Sequence, residues 1–131
     1  MQEEINNYKN IYKSIGSTYC PYLRQEVKFN SPGWNHLLRK RDSMRSTKDV
    51  LERAKYLKES SEIISISHTL QEYEERIINK KVNKFYGFIA IIENQKLKII
   101  VRKSGNGLPH FYSLMINYVT SPKRDNRKSA T

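Results

Sequence analysis

The sequence has little cysteine and no long apolar run. Cys20 is the single cysteine among 131 residues, which excludes an internal disulfide framework and a cysteine-rich zinc site. We therefore expect a reducing, cytoplasmic setting. The longest apolar stretch is FIAII at 88–92, far short of the roughly 18 residues of a membrane span. Residues 1–16 are too polar for a secretory signal peptide, so we expect no membrane partner.

Recognisable metal and cofactor motifs are also missing. The three histidines, His36, His68 and His110, are dispersed, and no carboxylate triad has metal-ligand spacing. The Gly-Asn-Gly segment at 105–107 is too short for a phosphate-binding loop and lies between two strand-like segments. We therefore expect neither a metal nor a small-molecule cofactor.

Positive charge and aromatic side chains are abundant. Lys and Arg number 24 against 13 Asp and Glu, giving a formal net charge of +11, and the chain has nine Tyr, four Phe and one Trp. Such a charge bears on partners and solubility more than on fold. Because aromatic rings stack on bases while cations neutralise phosphates, the composition favours nucleic acid as the partner.

The first two thirds of the chain have mainly helical patterns. Residues 3–13 have apolar side chains at helical spacing, whereas 16–23 suggest a connector and 25–31 a short strand. Two further helices are predicted at 31–42 and 46–57, the second from the capping pattern Ser46-x-x-Asp49. Residues 60–78 fit either helix or strand; we predict helix, with a kink near Ser67.

The last third is rich in β-branched and aromatic residues. The segments 84–93, 96–103 and 110–117 predict a three-stranded antiparallel meander, with a tight turn at Asn94-Gln95. The expected fold is therefore α+β, with N-terminal helices packed on a C-terminal antiparallel β-meander. We predict one domain over 1–120 and a basic flexible tail over 121–131.

The hairpin IIVRKSGNGLPHFYSL, at 99–114, gathers groups that suit a phosphate. A symmetric loop would place Arg102 across from Phe111, with His110 and Tyr112 near Lys103 and Val101. A slip of one residue would reverse the faces, and the sequence does not set the register. The hairpin is either a solvated turn or part of a site that binds and cleaves a phosphodiester.

His36 also has two interpretations. On a helix over 31–42 it shares the polar face with Lys40, opposite Trp34, so it is either exposed or a general acid or base beside Lys40 and Arg41. His68, near the possible kink, is interpreted as structural.

Glu72 and Arg76 have the spacing of an i,i+4 helical pair. The pair is either a solvated charge cluster or places Arg76 near a phosphate.

These groups are the parts that metal-free RNA cleavage requires. A base removes the 2′-OH proton, an acid protonates the leaving 5′-oxygen, and cations stabilise the phosphorane. Histidine titrates in the right range for the first two roles, and Arg and Lys supply the third. DNA lacks the 2′-OH, so this route would be specific for RNA.

The segments WNHLLRKRD, HTLQEYEERI and KLKIIVRKSGNGLPHFYS, in this order, resemble the Barnase–EndoU–colicin–RelE superfamily of small ribonucleases and toxins, over residues 25–116. The resemblance implies a RelE/barnase-like fold with a nuclease face on the sheet. It implies that His36, Arg102, His110 and Ser113 are catalytic. Lys40, Arg41, Lys103 and Tyr112 are the expected nucleic-acid contacts.

Three functions stay open. The first is a metal-independent endoribonuclease that acts as a toxin. The second is a non-catalytic RNA- or DNA-binding module that uses the same basic surface. The third is a toxin that inhibits a protein target, as some members of this superfamily inhibit gyrase. Toxins of this kind are usually held by an acidic antitoxin or immunity protein, which would then be a second partner.

Overall fold

The computed structural model describes residues 2–118, which form four helices and eight strands. The helices are α1 (Gln2–Ile15), α2 (Ser31–Leu38), α3 (Thr47–Ala54) and α4 (Leu57–Ile66). The strands are β1 (Ser17–Cys20), β2 (Gln25–Lys28), β3 (Arg39–Lys40), β4 (Ser43–Met44), β5 (Glu72–Ile78), β6 (Lys81–Ile92), β7 (Gln95–Ser104) and β8 (His110–Tyr118).

One six-stranded sheet, in the order β1-β2-β8-β7-β6-β5, organises the domain. Neighbours pair antiparallel except β2 and β8, which run parallel and meet within the described residues at one pair, Lys28 with His110. The helices cover one face of this sheet, and buried side chains from helices and strands form the core there. Among the core residues are Leu57, Ile64, Phe88, Leu97, Ile99, Val101, Phe111 and Leu114.

The predicted α+β class with a C-terminal meander is confirmed, and the first helix forms as expected. The predicted cap of α3 is also present, since the Ser46 hydroxyl accepts a hydrogen bond from the Asp49 backbone N–H. Residues 17–20, interpreted as part of a connector, instead form β1, which pairs with β2 in a hairpin. That strand has only four residues, too few for its alternating burial to give a clear pattern in the sequence.

The helix predicted over 31–42 is too long. The observed helix ends at Leu38, and the next residues form a two-stranded hairpin in which Lys40 pairs with Ser43 and Arg41 adopts a left-handed turn conformation, with φ of 56°. His36 and Lys40 therefore do not share a helical face.

The helix predicted over 60–78 is wrong in its second half. α4 ends at Ile66, and residues 72–78 form β5, an edge strand along β6. The expected i,i+4 pair does not form: Glu72 instead contacts Lys98, and Arg76 contacts Glu74, two positions away on the same strand face. Every residue of β5 is exposed, so burial imposes no period-2 pattern on the sequence.

The meander contains the three predicted strands with β5 added at its edge. Its second turn is formed by Glu93 and Asn94, both with positive φ, and Gln95 already belongs to β7; the prediction of an Asn94-Gln95 turn was one residue late. The register also differs from the symmetric one, because Arg102 lies opposite His110 and Val101 opposite Phe111. The predicted tail, 121–131, and the boundary at 120 lie outside the described residues.

Candidate functional site

A β-bulge in β8 produces the central feature of the site. Ile100 pairs with Ser113, whereas the next residue of β7, Val101, pairs with Phe111, so Tyr112 is an extra residue without an opposite partner. A bulge bends its strand and redirects side chains. It leaves Phe111 in the core, while the Tyr112 ring contacts side chains on the sheet face away from most of the helices.

Four side chains surround the Tyr112 ring. The ring centroid lies 4.4 Å from that of His36, 5.3 Å from that of Phe85 and 6.4 Å from that of His110. The Arg102 guanidinium carbon lies 5.6 Å from the same centroid. We call these five residues the Tyr112 cluster. It combines two imidazoles, one cation and an aromatic surface, the groups needed to hold a nucleotide and transfer its protons.

Arg102 is fixed from two sides. Its Nε donates to Oδ1 of Asn83 at 2.9 Å, and its guanidinium lies 6.0 Å from the ring centroid of Phe85. Asn83 is buried, and its amide nitrogen donates to the Lys81 carbonyl, which sets the orientation of the oxygen that Arg102 uses. This arrangement uses Nε and leaves the two terminal nitrogens of Arg102 as donors for an anion.

His36 reaches the cluster because α2 packs directly on β8. A Cβ on Gly33 would overlap the Phe111 carbonyl oxygen and lie 2.5 Å from the Tyr12 hydroxyl, so only glycine permits this approach. His36 follows by three residues, about one turn, and therefore faces the same strand. Burial lowers the pKa of His36, and the nearby positive charges of Arg45 and Arg53 lower it further.

His110 begins β8 and is held between β2 and β7. Its Nδ1 lies 3.1 Å from the Phe111 carbonyl oxygen, which suits an Nδ1–H donor and leaves Nε2 as the free nitrogen. Burial lowers the pKa of His110, the hydrogen bond to Phe111 opposes that change, and Arg102 adds to it. Both imidazoles are therefore more readily neutral than an exposed histidine.

A second guanidinium extends the surface beyond Phe85. Arg76 lies 4.5 Å from the Phe85 ring centroid, and its Nε donates to Glu74 at 2.7 Å. Half of the Arg76 side chain is exposed, at 52%. Phe85 itself is only 5% exposed and supports the layer formed by Arg76, Arg102 and Tyr112.

The other predicted contacts lie apart from this cluster. Lys103 pairs with Lys84 and points to the sheet face opposite Arg102, because neighbouring residues of a strand alternate. Lys40 and Arg41 are exposed on the β3–β4 hairpin. Ser113 lies directly after the bulge but is 7% exposed, so its hydroxyl has little access to solvent.

The sequence did not predict Phe85 or Asn83 as part of the site. It also did not predict that the Tyr112 ring would lie between the two histidines and Arg102. Asn83 and Phe85 are two residues apart and share one face of β6, as Ile100 and Arg102 share one face of β7. Only the register between the strands shows that Phe85 lies opposite Arg102. Arg76 was considered as a phosphate contact, although from a helix. The structure brings it to this face through β5.

The described residues, 2–118, contain no group of three or more His, Cys, Asp or Glu side chains placed to hold a metal ion. No helix in that same range is long and apolar enough to cross a membrane.

Comparison with known proteins adds no family to this picture. No family model matches the chain, and neither the curated proteins nor the solved structures contain a match.

Proposed function

We propose that the protein is a metal-independent endoribonuclease whose active site is the Tyr112 cluster. One observation carries the proposal: His36 and His110 both contact the Tyr112 ring, and Arg102 lies over the same ring. A ribonucleotide bound there has two proton-transfer groups and a phosphate ligand within one small surface. The net charge of +11 favours the approach of RNA.

The reaction is a transesterification within the RNA strand. Neutral His110 takes the 2′-OH proton on Nε2, and the 2′-oxygen attacks the adjacent phosphorus. The bond from phosphorus to the 5′-oxygen breaks, and protonated His36 gives its proton to that leaving oxygen. The products are a 2′,3′-cyclic phosphate and a free 5′-OH. Arg102 stabilises the charge on the phosphorane oxygens through its terminal nitrogens.

Cleavage of an end-labelled single-stranded RNA by the purified protein tests the proposal. Arg102→Ala should reduce the rate ~10²–10³-fold, because one electrostatic donor to the transition state is lost. Lys103→Ala is the matched control: it removes a neighbouring cation on the other sheet face and should leave the rate within about twofold of wild type, since this cation touches no reacting group. His36→Ala and His110→Ala should each abolish cleavage, and exposed His68→Ala should not.

Two further measurements define the chemistry. EDTA should not change the rate, and a 2′-O-methyl group at the cut site should prevent cleavage. Full activity of both Arg102→Ala and His110→Ala would overturn the assignment of the active site. A requirement for an added metal ion would overturn the metal-independent mechanism.

Binding without cleavage is the second candidate function. It is favoured by the lowered pKa of both histidines, because two neutral imidazoles at neutral pH leave the acid role unfilled. In that case Tyr112 and Arg102 serve as a stacking surface and a phosphate contact. Tight RNA binding with no cleavage between pH 5 and 8 would select this function.

A further inference from the structure

The interior of β6 contains a glycine whose presence the backbone does not require. Gly87 lies in the middle of this 12-residue strand, paired with both Glu72 and Ile100, and it does not have the positive φ that favours glycine. Glycine weakens a strand interior and often marks a place where a ligand or another chain approaches the backbone. A Cβ at this position would lie 3.1 Å from the Glu72 Cβ, which is a tight contact, so glycine makes room for the Glu72 side chain and leaves space beside it.

That space is an open concavity of about 310 Å³ on the same sheet face as Arg102. The volume is at the lower end of the range for small-ligand pockets. We call it the Gly87 pocket. It is lined by Glu72, Tyr73, Glu74, Phe85, Gly87 and Ile100.

The rim of the Gly87 pocket carries two carboxylates, and each accepts a hydrogen bond from a neighbouring cation. Glu72 accepts from Lys98 at 2.8 Å, and Glu74 accepts from Arg76 at 2.7 Å. An ionised carboxylate only accepts hydrogen bonds, and each has lone pairs beyond those used by its cation. Such a rim offers acceptors to N–H donors, which the edge of a base can supply and the RNA backbone phosphates cannot.

The Gly87 pocket is continuous with the Tyr112 cluster. Phe85 lines the pocket, its ring centroid lies 5.3 Å from that of Tyr112, and the Arg76 guanidinium lies 4.5 Å from the same Phe85 centroid. A nucleotide beside one held at Tyr112 therefore reaches the pocket, with the Arg76 guanidinium available to stack on its base.

We infer that the Gly87 pocket binds a nucleobase that carries an exocyclic amino group, through hydrogen bonds to Glu72 and Glu74, and discriminates against uracil. This inference rests on the proposed function, because it takes RNA as the ligand. Adenine, cytosine and guanine present an amino donor on the pairing edge. Uracil has no amino group there, and its single N3–H lies between two carbonyl acceptors that carboxylates repel.

Binding of labelled 2′-O-methyl oligonucleotides of A, C or U tests the inference without cleavage. The wild-type protein should bind the A and C oligomers about five- to tenfold more tightly than the U oligomer, a modest effect for hydrogen bonds at a solvent-exposed site. Glu72→Gln/Glu74→Gln should reduce the preference to less than about twofold, since charge-assisted bonds are the stronger ones. Gly87→Val should do the same, because its side chain would enter the pocket and displace the side chain of Glu72.

Glu62→Gln is the matched control. Glu62 is exposed on α4, which belongs to the helices on the other face of the sheet, so its variant loses the same charge away from the pocket and should keep the preference. Equal wild-type affinity for all three oligomers overturns the inference and leaves RNA binding intact, as does a preference that survives both pocket variants. Failure to bind any oligomer overturns the proposed function and the inference together. Preference without cleavage of unmodified RNA supports the pocket and rejects the nuclease.

Discussion

His36 and His110 differ from exposed histidines because each is partly enclosed and lies near guanidinium groups. For both, burial is the main cause of a lowered pKa. An imidazole that resists protonation in the folded chain takes up a proton more readily when the chain unfolds. Acid therefore acts on the stability of the protein through the same two residues that form its candidate site.

The lowered pKa values of His36 and His110 predict how the stability of the protein changes with pH. Between the folded pKa values and the ordinary value near 6.5, the unfolded chain binds more protons, so the free energy of unfolding should fall as pH decreases below about 6.5. Thermal unfolding at pH 7.5 and 5.5 measures it. His36→Gln and His110→Gln should each reduce the difference in melting temperature between the two pH values. An unchanged difference in both variants would contradict the prediction.

Gly33 gives the second prediction, which concerns the packing of α2 on β8. In Gly33→Ala the new methyl group would lie 2.5 Å from the Tyr12 hydroxyl and 2.8 Å from the Phe111 ring, so α2 must shift away from β8. Overpacking of this kind costs about 1–3 kcal/mol. Urea unfolding should show that loss, whereas Ser31→Ala, at an exposed position two residues earlier, should have little effect. A stable Gly33→Ala protein with wild-type cleavage would contradict the packing of α2 described above.

The hairpins of the meander turn through residues in left-handed conformation. Asn79 and Lys80 have φ of 52° and 66°, and they connect β5 to β6 in a two-residue loop. Two successive positive φ values are typical of a type I′ turn, for which Asn-Gly is the favoured sequence. Lysine at the second position carries a steric cost that glycine avoids.

Lys80→Gly should therefore raise the free energy of unfolding by about 1 kcal/mol. Lys96→Gly is the opposite case, because Lys96 lies within β7, and that variant should be destabilised. Urea unfolding of both proteins measures the two changes. A destabilised Lys80→Gly protein would mean that this turn differs from type I′.

The elements that the sequence predicts well are those with one buried face. α1, α3 and the strands β6 to β8 place apolar residues inward at regular spacing, and the periodic pattern follows from that burial. β5 has no buried face, and the spacing of Tyr73, Ile77 and their neighbours is helical by coincidence. The site was predictable as a set of residue types, but its geometry depends on the Tyr112 bulge, which leaves no local signature.

The protein has a formal net charge of +11, so its affinity for a polyanion should depend on salt concentration. Each phosphate neutralised on a single strand releases about 0.7 of a counterion, so about six contacts give a log–log slope of affinity against salt near −4. Binding of a labelled RNA between 50 and 200 mM salt should show such a slope. An affinity independent of salt would remove the electrostatic basis of RNA binding.

The parallel pairing of β2 with β8 joins residues that are far apart in the chain, Lys28 and His110. Such contacts form late, because a long loop must close before they contribute. During synthesis, at about 5–20 residues per second, His36 precedes His110 by several seconds. The two imidazoles therefore come together only after nearly the whole described chain has been made, and an unfinished copy inside the cell carries His36 without His110 and Tyr112.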